Sequence, residues 1–102
     1  MLGPNSPIGN YSVIAMSEMQ ADYCIALIKL WQENKLKEIE AKQAAVDAWR
    51  AMLKSKMSHT VWASGCNSWY LDDRGIPATW PWSFASFREE MSAPKVEAYE
   101  LR

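Results

Sequence analysis

YSVIAMSEMQADYCIALIKLWQE, residues 11–33, reads as one long amphipathic helix. Met16, Met19, Tyr23, Leu27, Leu30 and Trp31 recur at steps of three and four, the spacing that gathers side chains on one face of a helix, and Cys24 and Ile28 widen the stripe. Glu18, Asp22, Lys29, Gln32 and Glu33 mark the wet side. Asn34 suits the left-handed position that commonly ends a helix, and Lys35 suits the negative end of the helix dipole. Upstream, Gly3-Pro4-Asn5-Ser6-Pro7-Ile8-Gly9-Asn10 is a run of turn formers. Either Ser6, with Pro7 at the first helical position, or Asn10 caps the helix that follows.

Working outward from this helix, Leu36 to Ala41 is open between a helical start, which propensity favours, and a short extended piece. From Lys42 to Met57 the pattern is helical again. Val46, Trp49, Leu53 and Met57 form one stripe among the strong helix formers Ala44, Ala45, Ala48 and Ala51. Two helices joined by a short link usually pack antiparallel.

Beyond Ser58 the character changes. Thr60-Val61-Trp62 and Ser68-Trp69-Tyr70-Leu71 are β-branched and aromatic, and Asp72-Asp73-Arg74-Gly75 is a turn, so this part reads as strand, turn, strand. Pro77 and Pro81 exclude a central strand from Ile76 to Trp82, which leaves that arm irregular. Ser83 caps a short helix from Phe84 to Met91 that Pro94 ends, and Lys95 to Leu101 alternates in a strand-like way as far as Glu100. The fold class is therefore α+β: a long helix, a second helix after a short link, a small hairpin-like aromatic segment, a short helix and a C-terminal extended strand.

The bulk numbers narrow the function. A chain of 102 residues is one small domain or a piece of a larger one, and at this size only roughly two thirds of the unfolded surface is buried. Eleven basic and twelve acidic residues leave a net charge of −1, with no field to gather a phosphate backbone, so nucleic acid is not an expected partner. Glu18, Asp22 and Lys29 interrupt the most apolar helical stretch and argue against a membrane span. The first residues show no secretion signal, which makes the cytoplasm the expected location. Cys24 and Cys66 lack metal-ligand spacing, and in a reducing compartment they read as two free thiols, one in a helix and one in a turn.

No catalytic constellation emerges. Glu89 and Glu90 are adjacent, so on a helix they diverge by about 100° and read as a solvated face. Asp72 and Asp73 fit a turn better than a calcium loop. His59 has no nucleophile aimed at it, and a histidine at a helix C-terminus, favoured there in its charged form, accounts for it. Four of the six tryptophans, Trp62, Trp69, Trp80 and Trp82, fall close together. Trp62 and Trp82 read as core or domain interface, and Trp69 stands open between that role and contact with a flat ligand ring.

Taken in order, Thr60-Val61-Trp62, Gly65-Cys66-Asn67-Ser68-Trp69-Tyr70-Leu71-Asp72, Gly75 and Trp80-Pro81 resemble the C-terminal signature of Baeyer-Villiger-type and related flavin monooxygenases. Gly3-Pro4-Asn5-Ser6 resembles the loop that ends the last strand of the FAD domain in that family, where a long helix follows. The resemblance implies a single C-terminal segment of a larger flavoprotein: a flavin-side loop at 1–10, helices at 11–58 and an aromatic-rich tail at 59–102. It also implies that Leu36 to Ala41 is extended. By the same resemblance the parent enzyme uses FAD and NADPH and inserts oxygen through a peroxyflavin. Gly3, Pro4, Asn5 and Ser6 would lie on the FAD side, beside the N-terminus of the helix at 11–33, whose dipole favours the negative charge of reduced flavin. Trp69 and Tyr70 would lie on the NADP and substrate side.

The chain's glycines, at 3, 9, 65 and 75, cannot be assembled into the GxGxxG turn that receives a dinucleotide pyrophosphate. Tight binding of FAD or NADPH by this chain alone is therefore not expected. Its implied partners are the N-terminal FAD and NADP domains of a parent, or further copies of itself in a homo-oligomer. The alternative function is a stand-alone helical protein–protein interaction or homo-oligomerisation module, which a Met- and Trp-rich surface would serve.

Overall fold

The computed structural model describes residues 6–7, 11–57 and 80–102. Among them the order is helix α1 (Val13–Glu33), strand β1 (Ile39–Ala41), helix α2 (Gln43–Met57), helix α3 (Phe84–Glu90), a 3-10 turn at Val96–Ala98 and strand β2 (Tyr99–Leu101). This is an α+β arrangement, as expected. The strand–turn–strand reading of 60–75, together with His59, Cys66, Asp72 and Asp73, lies outside the described residues.

The entrance to α1 differs from the expectation. Neither Ser6 nor Asn10 caps it. Ser12 does, with an extended backbone and its side-chain oxygen accepting from the Ala15 N–H at 3.3 Å. The signal was available in a serine placed directly before the first apolar residue of the pattern. At the other end Asn34 keeps φ at −92° and its Nδ2 donates to the Leu30 carbonyl, while Lys35 takes the left-handed position at φ 50°. Lys35 N–H then donates to the Gln32 carbonyl and Leu36 N–H to that of Trp31, the two bonds of a Schellman ending. The turn is thus shifted by one residue onto a side chain with no special tolerance for it.

Burial follows the expected stripe only in part. Met16 is fully buried and Met19, Tyr23, Leu27 and Leu30 are half-buried, but Cys24, Ile28 and Trp31 are exposed. Glu18, Asp22, Lys29, Gln32 and Glu33 are exposed as expected. In α2, Leu53 is buried with Val46 and Trp49 partly so, again as the spacing indicated.

The core is aromatic. Met16 of α1, Trp80 and Phe87 of α3 are buried together, with Met19, Trp49, Trp82, Phe84 and Met91 packed around them. Trp80 meets Phe87 edge-on at 5.3 Å and Trp82 edge-on at 4.9 Å, and Trp49 reaches both tryptophans from α2 at 5.8 and 5.6 Å. The indole N–H of Trp80 is satisfied by the Ser83 carbonyl at 2.9 Å. Ser83 also caps α3, accepting from Ser86 N–H, so the expected cap is present. The helices touch at points through these long side chains. They do not run in close backbone contact along their lengths, so the usual packing of a helical hairpin is not seen among the described residues.

The extended reading of the link after α1 holds for Ile39–Ala41. Its propensity is helical, but β2 supplies a ladder: Ile39 pairs with Leu101, Glu40 with Glu100 and Ala41 with Tyr99, antiparallel. Strand character at the end of the chain begins at Tyr99, later than the alternation from Lys95 suggested, because Val96–Ala98 winds into a 3-10 turn. Two glutamates directly opposite each other repel. Arg102 offsets the charge of one of them, its guanidinium donating to Glu40 and also to Glu38.

Two stability measurements check this description. Lys35→Gly relieves the left-handed cost and is expected to raise stability by about 0.5–1 kcal/mol, whereas Lys35→Val lowers it. Phe87→Ala empties the centre of the aromatic cluster and is expected to cost about 3–5 kcal/mol, read as a fall in the urea midpoint.

Candidate functional site

Of the six residues assigned by resemblance, one falls within the described residues. Ser6 is 2% exposed, and its hydroxyl accepts a hydrogen bond from Gln20 Nε2 at 3.0 Å. Gly3, Pro4, Asn5, Trp69 and Tyr70 lie outside the described residues. The Ser6–Gln20 bond ties the segment before α1 onto the second turn of that helix, on the same side as Met16 and Tyr23. Gln20 was not singled out in the sequence. Its signal is position, since it stands four residues after Met16 on the inward face.

The other half of the Gln20 amide is unsatisfied: its carbonyl oxygen is buried and accepts no hydrogen bond from the described residues. A buried acceptor left this way costs roughly 1–3 kcal/mol, so the site is poised for an N–H or O–H donor. It is not suited to a phosphate, which is itself an acceptor.

A second polar contact lies further along α1. The hydroxyls of Tyr23 and Tyr99 are 2.7 Å apart and join the long helix to β2 across 76 positions of sequence. Burial, then the hydrogen bond to Tyr99, hold the Tyr23 phenol well above its usual range, with smaller contributions from the charges of Tyr99, Glu90 and Cys24. Its proton is therefore retained under all ordinary conditions, which suits a clamp and not an acid or base working near neutrality.

The aromatic cluster leaves a groove of about 210 Å³ lined by Trp49, Met52, Lys56, Trp80, Trp82, Ser86 and Glu90. Cofactor and ligand pockets usually measure roughly 300–1,000 Å³, so this groove is smaller than most of them. Trp82 packs on Trp49 and Trp80 and so takes the core role expected of it. Of the adjacent glutamates, Glu89 is exposed and Glu90 is paired with Lys95 at 2.8 Å, so the two do not converge on a common point. Tyr11 stacks on Phe84 at 4.9 Å, and Arg88 lies over the same Phe84 ring at 5.6 Å.

No group of three or more histidine, cysteine, aspartate or glutamate side chains suited to a metal occurs among the described residues. Nor is any helix among them long and apolar enough to cross a membrane. Cys24 is a free, exposed thiol, as read from the sequence.

Along its whole length the chain is similar to one portion of proteins named as monooxygenases, Baeyer-Villiger and FAD-binding monooxygenases among them. It is 41% identical over 102 residues to uncharacterized monooxygenases of Mycobacterium bovis and Mycobacterium tuberculosis, matching all of this chain and 21% of each relative. To a Baeyer-Villiger monooxygenase of Streptomyces coelicolor it is 36% identical over 106 residues, covering 99% of this chain and 20% of that enzyme. To an FAD-binding monooxygenase of Dothistroma septosporum it is 30% identical, covering 98% of this chain and 16% of that protein. The chain thus spans about a fifth of the length of these relatives. No family model matches it. No solved structure matches it.

The Tyr23–Tyr99 clamp has a measurable pH signature. The fold holds the Tyr23 proton more tightly than the unfolded chain does. Its contribution is therefore complete below about pH 10, the ordinary tyrosine value, and is lost as pH rises beyond it. Tyr99→Phe is expected to cost about 1 kcal/mol at neutral pH. Tyr23→Phe should flatten the alkaline decline in urea midpoint, and an unchanged decline in that variant would place its origin elsewhere.

Proposed function

We propose that this chain is the C-terminal segment of an FAD- and NADPH-dependent monooxygenase of the Baeyer-Villiger type, inactive when separated from the remainder. The observation that supports this reading most directly is the match of 99% of the chain to a fifth of a protein named a Baeyer-Villiger monooxygenase, beside the match of the entire chain to a fifth of relatives named monooxygenases. In such an enzyme the flavin, reduced by NADPH, supplies the oxygen-transfer chemistry.

The residues described here do not fit the whole cofactor. They contain no glycine-rich turn for a pyrophosphate, and the groove beside Trp49 and Trp80 is smaller than the usual cofactor pocket. What they offer is an anchoring role. Ser6, held by Gln20, fixes the end of the Gly3-Pro4-Asn5-Ser6 loop on the FAD side, and the unsatisfied Gln20 oxygen stands ready for a donor from the rest of the enzyme. Trp69 and Tyr70 belong, on this reading, to the NADP and substrate side. No step of the oxygenation is assigned to a side chain of this segment.

A second reading, a stand-alone interaction or homo-oligomerisation module, draws on the apolar residues that α1 leaves exposed. It gives no account of the whole-length match to monooxygenases.

Grafting separates the two. With this chain substituted for the matched fifth of the Streptomyces enzyme, the chimera is expected to retain FAD and to consume oxygen with NADPH. The isolated chain should show no saturable change in flavin fluorescence. A folded chimera devoid of flavin, or an isolated chain that binds FAD tightly, would sink the proposal.

A further inference from the structure

Helix α1 carries three kinds of surface. One is the inward stripe through Met16 and Tyr23. Another is the charged arc of Glu18, Asp22, Lys29 and Glu33. The third is apolar and exposed: Ile14 at 74%, Ile25 at 48%, Ile28 at 52% and Trp31 at 42%. Ile14, Ala21, Cys24, Ile28 and Trp31 are separated by multiples of three and four residues, so they share one face running most of the helix's length. A face this continuous is rare on a surface facing water, where single apolar residues are ordinary but aligned ones mark contact.

The charged residues of α1 are confined to the arc between the two apolar faces, while Gln20 lies on the inward stripe and Ser17 on the open face. A helix covered on one side only would carry a single stripe. This one has the pattern of a helix buried between two layers, of which the described residues supply one. The middle of the open face is low, with Ala21 and Cys24 between the larger Ile14, Ile28 and Trp31, and so it can lie against a broad flat surface such as the face of a parallel sheet.

The occupant follows from length. The relatives that match this chain from end to end are about five times as long, so a monooxygenase of this kind carries a large body of protein beyond this segment. We infer that the Ile14–Trp31 face of α1 docks on the remainder of the flavoprotein, against an apolar sheet face of its dinucleotide-binding part. The inference rests on the reading of this chain as a segment of a larger monooxygenase. It adds the surface by which the segment is held.

Cys24, exposed at the centre of that face, is a built-in reporter. Its alkylation, read by peptide mass, is compared in the free chain and in the Streptomyces chimera. The docked face should slow modification by about tenfold or more in the native chimera, with the free-chain rate restored in denaturant. Ile28→Glu should remove much of this protection, while Lys29→Glu, on the charged arc, leaves it intact. If Ile28→Glu prevents the chimera from accumulating, the Cys24 rate in the unsubstituted chimera still decides.

A chimera that holds FAD while Cys24 reacts at the free-chain rate overturns the docking face and leaves the proposed function standing. A chimera without flavin in which Cys24 is protected supports the docking face and counts against that function. Protection in the free chain that grows with concentration, together with a dimer in sedimentation, overturns the inference by making a second copy the occupant.

Discussion

The fold depends on the burial of Met16 against Trp80 and Phe87. A chain this small has little apolar mass to hide, and the four apolar side chains buried among the described residues are Met16, Leu53, Trp80 and Phe87. Three of these meet at one place, where α1, α2 and α3 converge through side chains instead of lying flank to flank. Large rings reach across gaps that aliphatic side chains would leave empty, and their tilted and edge-on contacts add directional preference to simple burial. The tryptophan density so conspicuous in the sequence is therefore spent, in its described part, on holding three helices at a distance. Around that point Tyr11 stacks on Phe84, and long-range polar contacts join Ser6 to Gln20, Tyr23 to Tyr99, and Arg102 to Glu38 and Glu40.

On the proposed function, such a structure is a part that completes its core against the rest of the enzyme. Its own contacts use one face of α1 and leave another apolar face uncovered. Gln20, which holds the buried Ser6 hydroxyl, keeps a buried carbonyl oxygen that accepts nothing from the described residues. These features have a common explanation in a segment about one fifth the length of the monooxygenases it resembles.

How much of this was legible in the sequence can be judged element by element. The helices at α1 and α2 were readable because three- and four-residue spacing is a direct image of helical geometry, and Ser83 was readable because a cap is a local matter. The inward arc of α1 was readable only in part. Periodicity reports that a face is apolar but not whether the chain's own residues cover it, and so Ile28 and Trp31 looked no different from Leu27 and Leu30. Strand β1 was the opposite case, since Glu and Ala lean towards helix and only pairing with β2 holds them extended. At the close of α1, asparagine is the better left-handed residue, yet the helix runs one residue further and the position falls to Lys35. For the site, Ser6 was picked out by resemblance, whereas Gln20 needed the packed helix to show that a polar residue on the inner face had a partner.

The small sheet also fixes the order in which this structure can come into being. Arg102 and Glu40 meet across 62 positions of sequence, and β1 has no ladder until β2 reaches it. Closing so long a loop gains its contacts late, whereas α1 and α2 need only neighbours. On the ribosome, then, both long helices will have emerged while β1 is still without a partner and while Tyr23 lacks Tyr99. The aromatic core, whose last member is Met91, can therefore close before the sheet does.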